Sequence, residues 1–244
     1  DYINGYDTTD EVYEISNEGQ LYWFEGLVNG DESVCDYDSV SKPDGTQQNP
    51  SANAVLTADI TVNEDVLKAD GTLADDVSGF TSWTPIGYYN GDSDCSLYSG
   101  TFDGQGYTVS GLYFNNTSVS DTNAYYVGLF GYVGSGSRVS NVGVVDSYFR
   151  GYDYIGGVCG ANYGTIENCY NAGCLGSPTY AYIGGVCGAN YDTIKNCYNI
   201  GRVLLNGVCG YNGNFGIIEN CYNAGTVSER GGSAYGVCGD NRKT

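Results

Sequence analysis

The chain has 244 residues, including 38 glycines, 25 tyrosines and 10 cysteines, and its formal net charge is −20. Because it contains no histidine, a histidine-based catalytic triad, a histidine general base and an HExxH zinc site are excluded within this sequence. The negative charge also argues against nucleic acid and anionic membranes as partners, since these polyanions are bound by clustered Lys and Arg. No apolar run approaches the ~20 residues that span a bilayer, so membrane insertion is not expected.

The first predicted element is a helix within residues 1–50, an acidic segment that we expect to form an N-terminal cap region. Asn17 and Gln20 have the spacing of a capping box, and Asn29-Gly30 is typical of a helix end. Between them, one helical face is apolar and carries Leu21, Phe24, Leu27 and Val28. The pattern predicts a short helix over residues 17–28, which would cover the open end of the core formed by the following strands.

Residues 51–127 are predicted to form short strands joined by long loops. The run AVLTADITV from Ala54 is typical of one strand, and WTPIG from Trp83 indicates another extended segment. The run GTFDGQGYTVSGLYF from Gly100 predicts strands joined by a turn at Asp103-Gly104. We interpret this region as the first coils of the array that follows.

Three loop-like segments bring carboxylates close together in the sequence, at Asp36-Tyr37-Asp38, Asp75-Asp76 and Asp92-Ser93-Asp94. Paired carboxylates are used in glycoside hydrolysis and in calcium binding, although solvated loop carboxylates are the ordinary alternative. We predict no catalytic residue and no cofactor, with Asp92 and Asp94 as a weak calcium candidate. Three arginines have no acidic partner at a recurring offset: Arg138, Arg150 and Arg202.

A repeat occupies residues 128–244. The tetrapeptide GLFG at Gly128 is followed by four GVCG tetrapeptides, which begin at Gly157, Gly185, Gly207 and Gly236. After each of the first four tetrapeptides comes a second short apolar run, such as TIENCYN from Thr165. The period of 22 to 29 residues and the Val, Ile, Tyr and Cys content indicate short strands in a solenoid, with one coil per repeat.

Seven cysteines fall into two columns of this alignment: Cys159, Cys187, Cys209 and Cys238 in the first, and Cys169, Cys197 and Cys221 in the second. The first repeat has Phe130 and Val142 at these positions, so each position accepts an apolar side chain. We therefore favour buried thiols that pack as small hydrophobes. Disulfides between neighbouring coils stay open as an alternative, and a metal site has little support without a CxxC pair. Three further cysteines lie outside the columns and could pair otherwise: Cys35, Cys95 and Cys174.

Two polar or aromatic columns accompany the cysteines. Because alternation would place Ile166 and Cys169 on opposite faces, burial of both requires a corner between them, and asparagine suits such a corner. The predicted structural corner ladder comprises Asn141, Asn168, Asn196 and Asn220. The neighbouring column comprises Tyr170, Tyr198 and Tyr222, and it is either an aromatic strip that binds sugars or a row of strand-forming tyrosines that shields the backbone.

In its order of motifs, the sequence resembles the GLUG-motif repeats of bacterial surface proteins, adhesins and the non-catalytic parts of immunoglobulin A-cleaving peptidases. The resemblance covers WTPIG, GTFDGQGYTVSGLYF, GLFGYVGSGSRVSNVGV and GGVCGANYGTIENCYNAG in succession. It implies an all-β, right-handed parallel β-helix-like solenoid on a secreted or wall-attached protein. Cysteine here mostly replaces the usual apolar residue of the tetrapeptide.

The last coil is expected to be incomplete, because GDNRKT from Gly239 stops where the next I-x-N-C-Y strand would begin. Exposed strand edges call for a cover, so we expect as partners either further repeats of a longer chain or other copies stacked end to end. The sequence thus favours a non-catalytic structural protein, extracellular or at a bacterial surface. The alternatives are an adhesin that binds glycans or host protein through an aromatic face and, less favoured, a polysaccharide-active enzyme.

Overall fold

Parallel strands stacked in register form most of the molecule. The structure is a computed structural model that describes residues 6–7, 12–30, 48–90, 95–179, 181–229 and 234–242. Strands are numbered in chain order. The first sheet contains β1 (Tyr6–Asp7), β2 (Val12–Ile15), β3 (Asn53–Leu56), β7 (Thr101–Asp103), β12 (Arg138–Ser140), β16 (Thr165–Glu167), β20 (Thr193–Lys195) and β24 (Ile217–Glu219). All of its pairings are parallel except the one between β1 and β2.

Two further main sheets and two small ones complete the strands. The second sheet contains β11 (Phe130–Val133), β15 (Cys159–Asn162), β19 (Cys187–Asn190), β23 (Cys209–Asn212) and β27 (Cys238–Asn241). The third contains β4 (Ile60–Thr61), β8 (Thr108–Ser110), β9 (Tyr113–Asn115), β13 (Gly143–Arg150), β17 (Tyr170–Gly176), β21 (Tyr198–Asn199), β22 (Arg202–Leu204), β25 (Tyr222–Asn223) and β26 (Thr226–Ser228). The small sheets contain β10 (Tyr125–Val127), β14 (Asp153–Gly156) and β18 (Ile183–Gly184), and the antiparallel pair β5 (Tyr88–Tyr89) and β6 (Cys95–Ser96).

Each repeat forms one coil that visits the sheets in a fixed order. In one coil, β15 lies in the second sheet, β16 in the first, β17 in the third and β18 in the three-stranded sheet. The next coil begins with β19 directly above β15, and Cys187 pairs with Cys159. This stacking confirms the predicted all-β, β-helix-like solenoid, whereas the right-handed sense of its coils stays a prediction.

The core is a set of apolar columns enclosed by the sheets. Val139, Ile166 and Ile194 pair in register on three successive coils, and all three are fully buried. Such branched side chains pack well on a pleated surface, and burying each one contributes about 1.5–3 kcal/mol. Nearer the N-terminus this column continues with Phe102, whose ring centroid lies 5.2 Å from that of Phe130 in the neighbouring column.

A helix, α1 (Glu18–Asn29), confirms the predicted N-terminal helix with bounds one residue later. Asn17 Oδ1 accepts from the Gln20 backbone N–H at 3.0 Å, but Gln20 Oε1 accepts from Ser16 N rather than from Asn17 N as in a standard capping box. Gly30 ends the helix in the left-handed conformation, with φ of 77°. The apolar face of α1 packs on the first coils, where the ring centroids of Phe24 and Phe102 are 6.1 Å apart.

One predicted strand is wrong. The run from Ala54 forms two strands, β3 and β4, which belong to different sheets. The chain bends between them, where Thr57 N donates to Ile15 O at 2.9 Å. The first sheet also runs without interruption through the regions 1–50, 51–127 and 128–244, and the boundaries between these regions stay predictions.

Candidate functional site

The first cysteine column is buried between the second sheet and the core. Cys159, Cys187 and Cys209 are fully buried and Cys238 is half-buried, and Phe130 pairs with Cys159 as in the sequence alignment. The Cys187 Sγ donates to Ala189 O at 3.2 Å. Burial raises the pKa of the Cys187 thiol well above its ordinary value, so this side chain is a protonated, inert thiol at neutral pH.

The second column has the same character at the next corner. Cys169 and Cys197 are fully buried and Cys221 is half-buried. The Cys197 thiol forms hydrogen bonds with nearby backbone groups. Its Sγ accepts from Cys169 N at 3.4 Å and donates to Lys195 O at 3.2 Å. All nine cysteines within the described part of the chain are free thiols. Among them, Cys95 is exposed and Cys174 half-buried, while Cys35 lies outside the described residues.

The predicted corner asparagines all adopt the left-handed conformation. Asn141, Asn168, Asn196 and Asn220 have φ between 53° and 55°. Each side-chain amide donates to the Oδ1 of the residue one coil below, at 2.9 Å from Asn168 to Asn141, 3.1 Å from Asn196 to Asn168 and 3.3 Å from Asn220 to Asn196. The ladder is on the surface and begins at Asp103, whose Oδ1 accepts from Asn141 Nδ2 at 2.8 Å.

Two asparagine ladders, buried except at their outermost residues, were not predicted from the sequence. One runs through Asn162, Asn190, Asn212 and Asn241, with amide-to-amide distances of 2.8, 2.8 and 3.0 Å. The other runs through Asn171, Asn199 and Asn223, with distances of 2.7 and 2.7 Å. A signal was present, because these asparagines recur three residues after the first-column cysteine and two after the second. Buried amides without such partners would be costly, so the ladders tie each coil to the next.

The predicted tyrosine column is a stack of rings. The Tyr170 and Tyr198 centroids are 4.9 Å apart with planes 1° from parallel, and those of Tyr198 and Tyr222 are 5.1 Å and 5°. The faces of Tyr198 are therefore covered by its neighbours. At the lower end, a Cβ atom added to Gly143 would overlap the Tyr170 ring. The outer ring face of Tyr222, which is 53% exposed, is the part of this strip best placed to meet a ligand.

The first sheet carries two ion pairs that share one buried carboxylate, while the side chains of the two basic partners are 51% and 40% exposed. Glu167, whose side chain is only 6% exposed, contacts Arg138 from the coil below and Lys195 from the coil above, the latter at 2.5 Å. Arg138 thus has an acidic partner, although the sequence shows none at a recurring offset. Alignment by offset missed the pair because Arg138 aligns with Thr165 and reaches diagonally across the ladder.

The predicted carboxylate pairs do not form a common site where the structure describes them. Asp75 pairs with Lys68 at 2.8 Å, and Asp76 Oδ1 accepts from Ser78 N at 3.0 Å. The other two segments, Asp36-Tyr37-Asp38 and the calcium candidate at Asp92 and Asp94, lie outside the described residues. Within the residues that the structure does describe, no group of three or more Cys, Asp or Glu side chains is arranged to hold a metal ion.

Two ring stacks, not predicted from the sequence, form the walls of a groove. Tyr126 and Tyr154 stack with centroids 4.8 Å apart, and Tyr132, Tyr163 and Tyr191 stack at 5.1 and 4.4 Å. With Tyr89, Leu97 and Ala161 these rings line a cavity of about 340 Å³. We call it the tyrosine groove. Part of the signal was a tyrosine that recurs in three coils, two residues before Gly128, Gly156 and Gly184, at Tyr126, Tyr154 and Tyr182.

The tyrosine groove presents ring edges and hydroxyl groups. Within each stack the ring faces cover one another, while Tyr126 and Tyr132 meet across the groove at 62° with centroids 5.7 Å apart. Burial raises the pKa of Tyr126 to about 12 and also raises the pKa of Tyr132 and of Tyr191. The phenols therefore stay neutral at physiological pH, and each can both donate and accept a hydrogen bond.

A second cavity adjoins the groove. Its volume is about 670 Å³, and its lining includes Tyr89 and Tyr126, which it shares with the tyrosine groove. We call it the asparagine pocket because its lining is rich in amides and hydroxyls, among them Asn29, Asn115, Asn116, Asn123, Thr84 and Thr122. The strand β5, which lines this pocket, belongs to a hairpin outside the repeat, so aligning the repeats does not indicate the pocket.

Comparison with known families assigns the repeat. The family model described as the GLUG motif matches residues 179–204 and 207–228. The chain contains GLUG repeats. The two matched segments contain β18 to β22 and β23 to β26, so each match corresponds to about one coil of the solenoid.

Two curated relatives are similar to part of this chain. Halomucin from Haloquadratum walsbyi is 36% identical over 99 residues, which are 38% of this chain and 1% of halomucin. A protein of Evansella cellulosilytica, described as a Gly-rich membrane protein, is 32% identical over 93 residues, which are 37% of this chain and 10% of that protein. The chain thus spans only a small part of the length of either relative.

A solved structure shares the fold of this chain. A crystal structure from Bacteroides ovatus, described as a candidate immunoglobulin A1 protease, superposes with a TM-score of 0.50 and covers 97% of this chain and 86% of that one. The two are 18% identical, so this likeness concerns the fold. Among the helical residues that the structure describes, no stretch is long and apolar enough to cross a membrane.

Proposed function

We propose that this GLUG chain is a non-catalytic structural module of an extracellular or cell-surface bacterial protein. In this proposal its stacked coils act as a rigid spacer that is continued by further coils of the same kind. The continuing coils belong either to the rest of a longer stalk or to another copy stacked end to end.

The observation that carries the proposal is the use of side chains along the coil axis. The asparagine ladders, the cysteine columns and the tyrosine stack all run from one coil to the next. Each ladder residue bonds or packs against its counterpart, so that stability grows with each added neighbour, as in other repeat proteins. Such columns hold coils in register and leave their polar groups satisfied, which suits a scaffold.

The outer coil supports continuation of the array. Among the described residues, β24, β25, β26 and β27 are the outermost strands of the main sheets, and we call their outer surface the open edge. Val237 is 37% exposed here, whereas Val208, its counterpart one coil below, is fully buried. Tyr222 is likewise 53% exposed above its stack. A further coil would cover these groups with the partners that they have elsewhere in the solenoid.

Further observations support the proposed surface location and the proposed lack of catalysis. One relative is described as a membrane protein and the other bears a mucin-derived name, which supports a place at or outside the cell surface. A chain without histidine and with its described acidic pairs engaged by Lys68 and Ser78 offers little for acid–base chemistry. The structural neighbour that is described as a protease supports a likeness of fold alone, and no protease activity is inferred from it.

Sedimentation velocity and negative-stain microscopy test the proposal. Charged variants at the open edge, Tyr222→Lys and Val237→Lys, are compared with Phe215→Lys, which alters an exposed side chain in the turn before β24. If copies stack, the wild-type protein forms long fibres, and the two edge variants shorten them while the Phe215 variant does not. If the coils continue in a longer chain, all four proteins are separate rods.

Either fibres or rods would fit a spacer. The edge variants decide whether copies stack end to end or the coils continue within a longer chain. Compact, near-spherical particles would contradict the proposal. So would turnover of a polysaccharide by the purified chain, abolished by replacing one specific aspartate, since that result would make the solenoid an enzyme.

A further inference from the structure

The tyrosine groove and the asparagine pocket form one continuous surface. Tyr89 and Tyr126 line both cavities, and their rings meet edge to face at 89° with centroids 6.0 Å apart. The combined surface has one aromatic half and one amide-rich half. Cavities of this size, about 340 and 670 Å³, fall in the range that small organic ligands occupy.

The charge of the lining narrows the ligand class. Across both cavities the described lining contains no lysine and no arginine, and Glu25 is its one carboxylate. Glu25 is 1% exposed and accepts from Asn29 Nδ2 at 2.6 Å, so its charge is turned inward. A strongly acidic ligand would meet no cation here and would be repelled by the net charge of −20.

The polar groups of the lining match a ligand rich in hydroxyls. Phenol hydroxyls both donate and accept, and amides on the other side add paired donors and acceptors. The amides of Asn29 and Asn116 already bond within the protein, so other amides of the pocket must meet the ligand. Asn115 and Asn123 are exposed at the pocket. The rings supply apolar edges between these polar groups, which suits a ligand whose apolar C–H groups alternate with hydroxyls.

We propose that this joined surface is a binding site for a neutral oligosaccharide, a site separate from the tyrosine strip of Tyr170, Tyr198 and Tyr222. The oligosaccharide would place one sugar unit in the asparagine pocket and extend across Tyr89 and Tyr126 into the tyrosine groove. The spacer and the site are compatible, because the groove lies on the coils of β10, β11, β14, β15 and β19, at least one coil below the strands of the open edge.

Affinity electrophoresis tests the site with defined probes. The protein is run in native gels that contain konjac glucomannan, galactomannan, xyloglucan or dextran, and in gels that contain polygalacturonate or hyaluronate as acidic controls. We expect retardation in at least one neutral polysaccharide and none in the acidic ones. The triple variant Tyr89→Phe, Tyr126→Phe and Tyr154→Phe keeps the rings and removes three hydroxyls, and its binding should be at least about tenfold weaker.

A matched variant locates the binding surface. The triple change Tyr170→Phe, Tyr198→Phe and Tyr222→Phe removes the same number of hydroxyls from the other strip and should leave retardation unchanged. Thermal melting of both variants establishes that each is folded. Failure of all four neutral probes to retard the wild-type protein would overturn the proposal, as would stronger retardation by an acidic probe or an equal loss in the two triple variants.

Discussion

Asn190 and Asn212 lie one coil apart with both side chains buried, and Asn190 Nδ2 donates to Asn212 Oδ1 at 2.8 Å. The same amide also donates to Asp192 O at 2.9 Å, and Asn190 Oδ1 accepts from Asn162 at 2.8 Å. One side chain therefore satisfies polar groups of three successive coils. Because these groups are shielded from water, each bond is strong and each missing partner is costly.

Replacing Asn190 should destabilise the solenoid severely. Asn190→Ala removes the donor to buried Asn212 Oδ1, at about 1–3 kcal/mol for an unsatisfied group. It also removes one bond each from the Asn162 amide and the Asp192 carbonyl, which keep other partners. We expect a loss of several kcal/mol in the free energy of unfolding, measured by urea denaturation. The control is Asn196→Gly on the exposed ladder, where φ is 53°. Glycine tolerates that conformation, so the control should lose about 1 kcal/mol or less. Equal losses in the two variants would contradict the difference in burial.

Cys187 should behave as a packed apolar residue. Cys187→Val keeps roughly the same volume in a fully buried site, and we expect it to cost less than about 1.5 kcal/mol in the free energy of unfolding. Cys187→Asp would place a charge in the core and should unfold the neighbouring coils. Circular dichroism during thermal melting distinguishes the two variants. Loss of folding in the valine variant would instead indicate a covalent role for the thiol.

The ion pairs of Glu167 should matter because the carboxylate is buried. The double variant Arg138→Ala, Lys195→Ala leaves that carboxylate unpaired, and we expect a loss of about 3–5 kcal/mol in the free energy of unfolding. Adding Glu167→Gln removes the charge and should recover most of the loss. The exposed pair of Lys68 and Asp75 is the control, and Lys68→Ala should leave the free energy of unfolding nearly unchanged, because solvent screens an exposed pair. If Glu167→Gln recovers none of the lost free energy of unfolding, the Glu167 carboxylate is not desolvated as described.

Asp153 should make stability depend on pH. Burial raises the pKa of the Asp153 carboxyl above its ordinary value, although the N–H groups of Tyr182 and Tyr154 donate to it at 2.8 and 2.9 Å and oppose the rise. A raised folded-state pKa means that this contribution is fully present below the unfolded value of about 3.9 and is lost as pH rises through the folded value. Asp153→Asn keeps both acceptor bonds and removes the charge.

The variant Asp153→Asn should therefore be more stable than the wild type at pH 7 and lose that advantage near pH 3. Urea denaturation midpoints at several pH values measure the difference. A constant difference between the two proteins across this range would contradict the buried position of the carboxyl.

Much of the fold follows from the sequence because the repeat contains its own comparison. Phe130 at a cysteine position predicts an apolar column, and the structure places it directly beneath Cys159. Asn168 between two residues that must both be buried predicts a corner, and its backbone is left-handed there. These arguments depend on which positions recur, and recurrence is visible without coordinates.

The features that the sequence did not predict depend on where the chain bends. Burial of Asn171 follows from the position of the corner before it, which alternation alone does not fix. The tyrosine groove joins residues from different segments of the coil with Tyr89, which lies on a hairpin outside the repeat. The partner of Arg138 lies diagonally across the ladder, so equal offsets do not reveal it.

Cryo-electron microscopy of the purified protein, prepared with and without reductant, tests the central claim most directly. The account predicts elongated particles with a coil spacing of about 4.8 Å along the long axis. It also predicts that Cys159, Cys187 and Cys209 lie above one another as separate thiols in both preparations. Particles without that spacing, or sulfur atoms bonded between coils and required for the rod to persist, would contradict it.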